Sequence, residues 1–163
     1  MTTDDARHLP LAGIRVIDLS HQAAGPWCTS LLGDMGADVV KIEKPGRGDG
    51  IRYAGRLPPE IGGLNFQGLN RNKRGITIDI GTDAGCDLVR RLAAQADVVV
   101  ENFRPGVMDR HGLGWDTLSA ANPRLVYCSI TAFGPRGPAA GSGSRSRCSM
   151  PCCRSTPTSR RTS

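Results

Sequence analysis

The sequence predicts an α/β fold: a Rossmann-like, mostly parallel sheet with flanking helices, which we expect to be truncated. The chain has 163 residues, the usual size of one domain. Short β-rich runs alternate along it with stretches of helical spacing, and each run ends in a turn rich in Gly, Pro or polar residues. Units that alternate in this way form parallel pairs with right-handed crossovers.

The first such unit lies near the amino terminus. A strand is predicted at 14–19, where apolar residues alternate before a polar turn that contains Gly25 and Pro26. Apolar residues at helical spacing predict a helix from Pro26 onward, and Gly36 can end it in the left-handed conformation. A second strand follows at 38–43.

A long stretch at 45–75 is rich in Gly, Pro, Arg and Asn and has little periodicity. Long irregular loops inside compact domains are usually functional or disordered. Regular patterns then resume, and they predict strands at 76–80, 97–101 and 125–131, a helix from Thr82 or Asp83 to about Ala96, a short helix through Val107 and Met108, and a helix at 115–121.

The last segment, 141–163, loses all of these patterns. It contains seven Ser, five Arg, no acidic residue and one large apolar side chain, Met150. Such a segment cannot bury a face, so we expect it to be disordered. We attribute the abrupt change of character to a shifted reading frame or a truncated gene model.

Composition argues against several classes of protein. The net charge is +6, but the first 140 residues carry 16 basic and 15 acidic side chains, and aromatic residues make up only 4%, so we expect no nucleic-acid partner. No apolar run approaches the ~18 residues that span a membrane, and the polar start predicts no leader, which favours the cytoplasm. The six cysteines suggest neither a disulfide framework nor a metal site.

The turns that follow the strands are the candidate binding region, because open parallel sheets bind ligands beyond the carboxyl ends of their strands. Basic and polar residues accumulate there: His21 and Gln22 after the first strand, Lys44, Arg47 and Arg52 after the second, and Asn102, Arg104 and Arg110 after a later one. A ligand with phosphate groups would suit them. The glycines at 46–50 have the wrong spacing for a dinucleotide fingerprint, and no Walker A sequence is present.

Seven collinear segments carry a family resemblance. The run Asp38-Val39-Val40-Lys41-Ile42-Glu43-Lys44-Pro45-Gly46 lies in one of them, and the full set is 11–19, 24–26, 32–46, 70–79, 100–106, 122–127 and 131–138. Together they resemble the amino-terminal signature of the family III coenzyme A transferases. This CaiB/BaiF family includes formyl-CoA transferase and α-methylacyl-CoA racemase. Residues 1–140 would then form the amino-terminal part of the family's large domain.

The resemblance implies transfer of coenzyme A between an acyl-CoA and a carboxylic acid, with coenzyme A as a substrate and no metal. It also implies a set of contact residues: Gln22 and Ala23 at the pantetheine and thioester end, Lys44 near the nucleotide, and Asn102, Phe103, Arg104 and Arg110 at the adenine and phosphates. Family members are interlocked homodimers, an assembly that a fragment of this length is not expected to complete.

The catalytic residue implied by the resemblance has no counterpart in this chain. Family transferases attack the thioester with an Asp in an Asp-Gly-Pro-Pro-like turn downstream of the Phe-Gly-x-x-Gly-Pro segment, and no Asp or Glu follows Asp116 here. The racemases use a His and an Asp, and no His follows His111. We therefore expect an inactive fragment, with a racemase-like isomerase or a non-catalytic acyl-CoA binding remnant as alternatives.

Overall fold

The computed structural model describes residues 9–55, 62–132, 134 and 152–154. The strands in these ranges are β1 (Arg15–Asp18), β2 (Asp38–Glu43), β3 (Lys73–Thr77), β4 (Val98–Glu101), β5 (Val126–Ser129) and β6 (Cys152–Arg154). The helices are α1 (Ala24–Asp34), α2 (Leu64–Leu69), α3 (Asp83–Ala93), α4 (Val107–Arg110) and α5 (Trp115–Ala121), and a 3-10 helix spans Gly50–Tyr53.

The strands form one sheet in the order β3-β2-β1-β4-β5-β6. The first five strands of this order pair in parallel, and β6 runs antiparallel to β5. In the centre of the sheet, Ile17 is in register with Val40 on one side and Val99 on the other. The predicted α/β fold with a mostly parallel sheet is confirmed, and the carboxyl ends of β2, β1 and β4 lie side by side.

Apolar clusters cover both faces of the sheet because successive side chains of a strand point to opposite faces. On one face, Ile17 and Val99 pack with residues of α3, α4 and α5 such as Val89. On the other face, Val16 and Val100 form a smaller cluster, against which Leu32 and other partly buried residues pack.

The helix predicted after the first strand is present as α1, but most of the apolar residues that predicted it are exposed, and Leu32 is only partly buried. Trp27, Leu31 and Met35 remain 51%, 41% and 38% exposed. The buried residues are instead the small ones, Gly25, Pro26, Thr29 and Ser30. A Cβ atom on Gly25 would overlap the side chain of Ser20, so the small residues let the start of α1 approach the end of β1 closely.

The stretch predicted as irregular contains more structure than its composition suggests. The 3-10 helix and α2 both lie in it, and β3 begins at Lys73, three residues before the predicted strand. Four of the five residues of β3 are exposed, so this strand lacks the buried alternation that reveals a strand in a sequence. Its parallel pairing with β2 defines it instead.

Strand β6 lies within 141–163, the segment for which the sequence predicts disorder. Residues 152–154 pair with the free side of β5, from Tyr127 to Ser129. An edge strand offers unpaired backbone groups, and pairing with them requires no apolar side chains, which explains why composition did not indicate this strand. The rest of that segment lies outside the described residues.

The described residues contain neither a membrane-spanning helix nor a cluster of metal-binding side chains. None of the helices in the described ranges is long and apolar enough to cross a membrane. Within the same ranges, no three His, Cys, Asp or Glu side chains are grouped as they would be around a metal ion. Within the described ranges, no disulfide bond joins Cys28, Cys86 or Cys128.

Candidate ligand site at the carboxyl edge of the sheet

Three exit turns meet at one edge of the sheet, because β2, β1 and β4 are neighbours and all run in the same direction. The turn after β1 carries Gln22 and Ala23, the turn after β2 carries Lys44, and the turn after β4 carries Asn102 to Arg104. The topology therefore brings most of the sequence-predicted contact residues to one edge, where open parallel sheets bind ligands.

The turn after β1 has an unusual backbone at Gln22. Its φ is 67°, in the left-handed region that residues other than glycine rarely adopt. Its backbone N–H donates to the Asp49 carboxylate, at 3.0 Å to Oδ1 and 3.3 Å to Oδ2. Ala23 is the N-cap residue of α1, and its methyl group cannot accept a hydrogen bond from the first amides of the helix. The side chains of Gln22 and Ala23 are both exposed beside these amides.

Asn102 connects the turn after β4 to the turn after β1. Its Oδ1 accepts from the His21 backbone N–H and its Nδ2 donates to the His21 carbonyl, both at 2.8 Å. Phe103 lies edge-on to the His21 ring, with 5.0 Å between the ring centroids. The structure thus shows Asn102 and Phe103 holding His21 in place, while their predicted contact with adenine and phosphate stays a prediction.

Arg104 and Arg110 are exposed and belong to the segment that follows β4. Arg104 lies in the exit turn, and Arg110 is the last residue of α4. Gly106, with φ 79°, turns the chain into that short helix. The structure places both guanidinium groups on the surface of this segment, and their predicted contacts with adenine and phosphate stay predictions.

A cavity of about 300 Å³ opens beside the exit turn of β2. Its lining residues are Glu43, Lys44, Gly46, Arg47, Gly48, Arg52, Tyr53 and Thr77. Arg52 binds the Glu43 carboxylate through two hydrogen bonds of 2.7 Å, and the Arg47 guanidinium lies 4.9 Å from the centre of the Tyr53 ring. Lys44 and Arg47 are exposed at its rim, so they can receive an anionic group.

Beneath the turns lies a network of buried charges that sequence reasoning missed. Lys41 and Asp49 are 1% and 0% exposed, and their Nζ and Oδ2 atoms are 3.1 Å apart. Asp18 and Lys73 are 0% and 2% exposed, with Oδ2 and Nζ 3.0 Å apart. Each buried charge therefore has a partner of opposite sign, which burial requires.

Further hydrogen bonds join this network to the turns. Lys41 Nζ donates to the Ser20 carbonyl at 2.8 Å, and Asp18 accepts from the Ser20 N–H and hydroxyl at 2.9 and 2.5 Å. Thr29 Oγ1 donates to Asp18 at 2.7 Å from the first turns of α1. The only hint in the sequence was a charged residue between apolar neighbours in a strand, as Lys41 is between Val40 and Ile42 in β2.

The pKa values of these groups reflect burial in competition with their partners. Burial alone would raise the pKa of Asp18, but the charges of Lys41 and Lys73 and the hydrogen bonds from Ser20 and Thr29 outweigh it and hold that pKa below its usual range. Burial lowers the pKa of His21, against the attraction of nearby carboxylates. The imidazole is therefore neutral at pH 7.

Two other groups near this edge have perturbed pKa values. Burial raises the pKa of Glu101, although its carboxylate accepts from the Phe103 N–H at 2.7 Å. A hydrogen bond from Cys128 lowers the pKa of Cys28 to about 7, so about half of this thiol is thiolate at neutral pH.

Comparison with known proteins agrees with this architecture. The profile of CoA-transferase family III matches residues 11–145. Succinate–glutarate CoA-transferase of Agrobacterium fabrum is 47% identical over 146 residues, which are 85% of this chain and 36% of that protein. Formyl-CoA:oxalate CoA-transferase of Rhodopseudomonas palustris is 46% identical over 125 residues, covering 77% and 29%.

A solved structure of a CaiB/BaiF family protein from Brucella suis superimposes with a TM-score of 0.76 at 48% sequence identity. The match covers 81% of this chain and 36% of that one. The chain thus spans about a third of the length of the relatives it matches. Since the family profile and these identities extend over most of its residues, the chain belongs to CoA-transferase family III.

Proposed function

We propose that this chain binds coenzyme A thioesters at the carboxyl edge of its sheet, and that the whole protein transfers coenzyme A between an acyl-CoA and a carboxylic acid. The relatives named above are CoA-transferases, which supports the reaction class. The observation that carries the proposal is the convergence of three exit turns at one edge, where exposed cations surround a rigidly held turn.

The residues divide the ligand between them in this proposal. Lys44 and Arg110 neutralise phosphate groups, since both are exposed cations in segments that leave this edge. Gln22 and Ala23 lie at the start of α1 and take the pantetheine and thioester end. Asn102, Phe103 and Arg104 contribute the adenine side, with Asn102 also holding His21.

Four buried carboxylates at this edge are unsuited to attack a thioester; one of them, Glu101, is only 4% exposed and already accepts from the Phe103 N–H. Asp18 and Asp49 are each 0% exposed, and each is paired with a lysine. Glu43 accepts hydrogen bonds from Nε and Nη2 of Arg52. A carboxylate nucleophile must reach the thioester and form a mixed anhydride that the released thiolate can recapture. We therefore propose that the described residues bind the substrate and that none of them is the nucleophile.

Titration calorimetry with coenzyme A tests the binding. Arg110→Ala and Lys44→Ala each remove a charge-assisted contact, so the affinity should fall about ten- to hundredfold. Arg124→Ala is the matched control, because this exposed Arg precedes β5 and lies at the opposite edge of the sheet. Binding that weakens equally in all three variants, or in none, would place the ligand elsewhere.

An exchange assay tests the chemistry. The purified 163-residue chain, offered acyl-CoA donors and carboxylate acceptors, should form no new acyl-CoA above the rate without protein. Exchange that a carboxylate substitution within the first 116 residues abolishes would identify a nucleophile in this chain and contradict the proposal.

We also propose a cytoplasmic location and a tendency to associate. Cys28, Cys86 and Cys128 form no disulfide bond within the described residues, which fits a reducing compartment. The exposed Trp27 and Leu31 on α1 present apolar surface that favours association. Cell fractionation and gel filtration test these two statements, and an extracytoplasmic pool or a strictly monomeric chain would contradict them.

A further inference from the structure

The turn that carries Gln22 is held by side chains from neighbouring turns. Its left-handed φ of 67° is an arrangement that a glutamine adopts rarely without support. Each of the three residues 20, 21 and 22 has a backbone polar group bound by a side chain from outside the turn. The conformation of this turn is therefore decided by its surroundings.

Lys41 and Asp49 hold two points of the turn from the side of β2. Lys41 Nζ donates to the Ser20 carbonyl at 2.8 Å, while Asp49 accepts from the Gln22 N–H at 3.0 Å. The two side chains also bind each other at 3.1 Å, and both are almost completely buried. The pair thus connects the carbonyl at residue 20 to the amide at residue 22.

Asp49 is itself fixed in position. Its backbone N–H donates to Glu43 Oε2 at 2.8 Å, and its Oδ1 accepts from the Ile51 N–H at 3.1 Å as it caps the 3-10 helix. The neighbouring Gly50 leaves room for the Gln22 side chain: a Cβ atom there would be 2.6 Å from Gln22 Nε2. Asp49 is therefore held at both ends while it binds Gln22.

We infer that Asp49 is a positioning residue for the coenzyme A site, acting through its buried carboxylate to hold Gln22 in the left-handed conformation. This inference rests on the proposed function, in which Gln22 and Ala23 take the thioester end. Asp49 is shielded from a ligand because its side chain is 0% exposed, so it acts on binding through the residues that it holds, of which Gln22 is the one at the proposed thioester end.

A double-mutant cycle with Gln22→Gly separates positioning from a merely structural role, because glycine adopts a positive φ without a partner. Asp49→Ala should weaken coenzyme A binding about tenfold in the wild-type background, as expected when a left-handed residue loses the bond that holds it. In the Gln22→Gly background, the same substitution should leave the affinity nearly unchanged. Its effect on the melting temperature should be equal in both backgrounds, since Lys41 loses its partner in each.

Asp49→Asn provides the conservative rescue. Its side-chain oxygen can still accept from the Gln22 N–H, so coenzyme A affinity should stay close to wild type although the melting temperature falls. If Asp49→Ala does not fold, Lys41→Met with Asp49→Ala is compared with Lys41→Met with Asp49→Asn, because neither double variant leaves an unpaired buried charge. Both lack the bond from Lys41 to Ser20, and they differ in whether residue 49 can accept from the Gln22 N–H. Equal coenzyme A affinities for the two would overturn the inference.

Two outcomes of the calorimetry overturn the inference and differ from each other. If the wild-type chain gives no binding heat with coenzyme A, the proposed function fails, and the positioning role fails with it. If the wild-type chain binds but Asp49→Ala weakens binding by the same factor in both backgrounds, only the positioning role fails.

Discussion

Replacing Asp18 with Asn removes one buried charge at the end of β1 and leaves the size of the side chain unchanged. The Asp18 carboxylate accepts four hydrogen bonds, two from Ser20, one from Thr29 Oγ1 and one from Lys73 Nζ. An amide has a single acceptor oxygen, so its NH₂ group must face either the Ser20 donors or the Lys73 and Thr29 donors. In either orientation a donor faces a donor, and Lys73 remains buried without a counter-charge.

The expected cost is large because both partners are shielded from water. A pair of unit charges 3.0 Å apart, as Lys73 and Asp18 are, attracts with about 5 kcal/mol at an effective dielectric constant of about 20. Removing one partner of a buried pair typically costs about 3 to 5 kcal/mol. For a chain of this length, such a loss lowers the melting temperature by about 6 to 20 °C.

Asp38→Asn is the matched control. Asp38 also binds an arginine at the sheet, with 2.6 Å to Arg74 Nη2, but its side chain is 40% exposed and that of Arg74 is 69% exposed. An exposed pair contributes less than about 1 kcal/mol, so this variant should unfold almost like the wild type. Urea denaturation followed by circular dichroism measures both variants. Equal losses for Asp18→Asn and Asp38→Asn would refute the reasoning from burial.

The remaining predictions concern pH and packing. Because the folded chain holds the pKa of Asp18 below its usual range, the ionised group stabilises the fold above about pH 4, and this contribution is lost as the pH falls through the folded pKa. The difference in the free energy of unfolding between wild type and Asp18→Asn should therefore decrease as the pH falls. A difference that increases below pH 4 would show that ionised Asp18 does not stabilise the fold. Alkylation of Cys28 should show a midpoint at about pH 7. Cys128→Ala should return the pKa of Cys28 toward about 9, and the rate at pH 7 should fall about five- to tenfold, because the loss of thiolate is partly offset by the greater nucleophilicity of a more basic thiolate; an unchanged rate would exclude the thiol–thiol hydrogen bond as the cause. Gly25→Ala should cost at least about 1 to 3 kcal/mol because its Cβ overlaps Ser20, whereas Gly68→Ala in α2 meets no atom within 4 Å and should gain about 0.5 to 1 kcal/mol; similar unfolding midpoints would show that the turn adjusts freely.

The sequence alone determined the elements whose signals are local. Strands β2 and β4 were predicted within a residue of their bounds because buried central strands are short apolar runs ended by turn residues. Helix α3 was predicted from its cap, and the structure shows Thr82 Oγ1 accepting from the Gly85 N–H at 3.1 Å. The quoted motifs were sufficient to identify the family, which the comparisons confirmed.

The tertiary structure decided the features that depend on distant residues. Strand β3 is exposed and exists through pairing with β2, and β6 exists through pairing with β5, so neither shows a pattern of its own. The buried face of α1 is made of small residues because it must approach Ser20 closely, a requirement that the helix sequence does not state.

The network of buried charges shows most clearly which features only the tertiary structure decided. Asp18 and Lys73 are 55 positions apart in sequence, and they form an ion pair only because the sheet places their strands two positions apart. The sequence supplied these charges as isolated residues in strands and loops. A charge acquires its partner, its burial and its pKa only when the chain is folded, because all three depend on distances between segments that the local sequence does not contain.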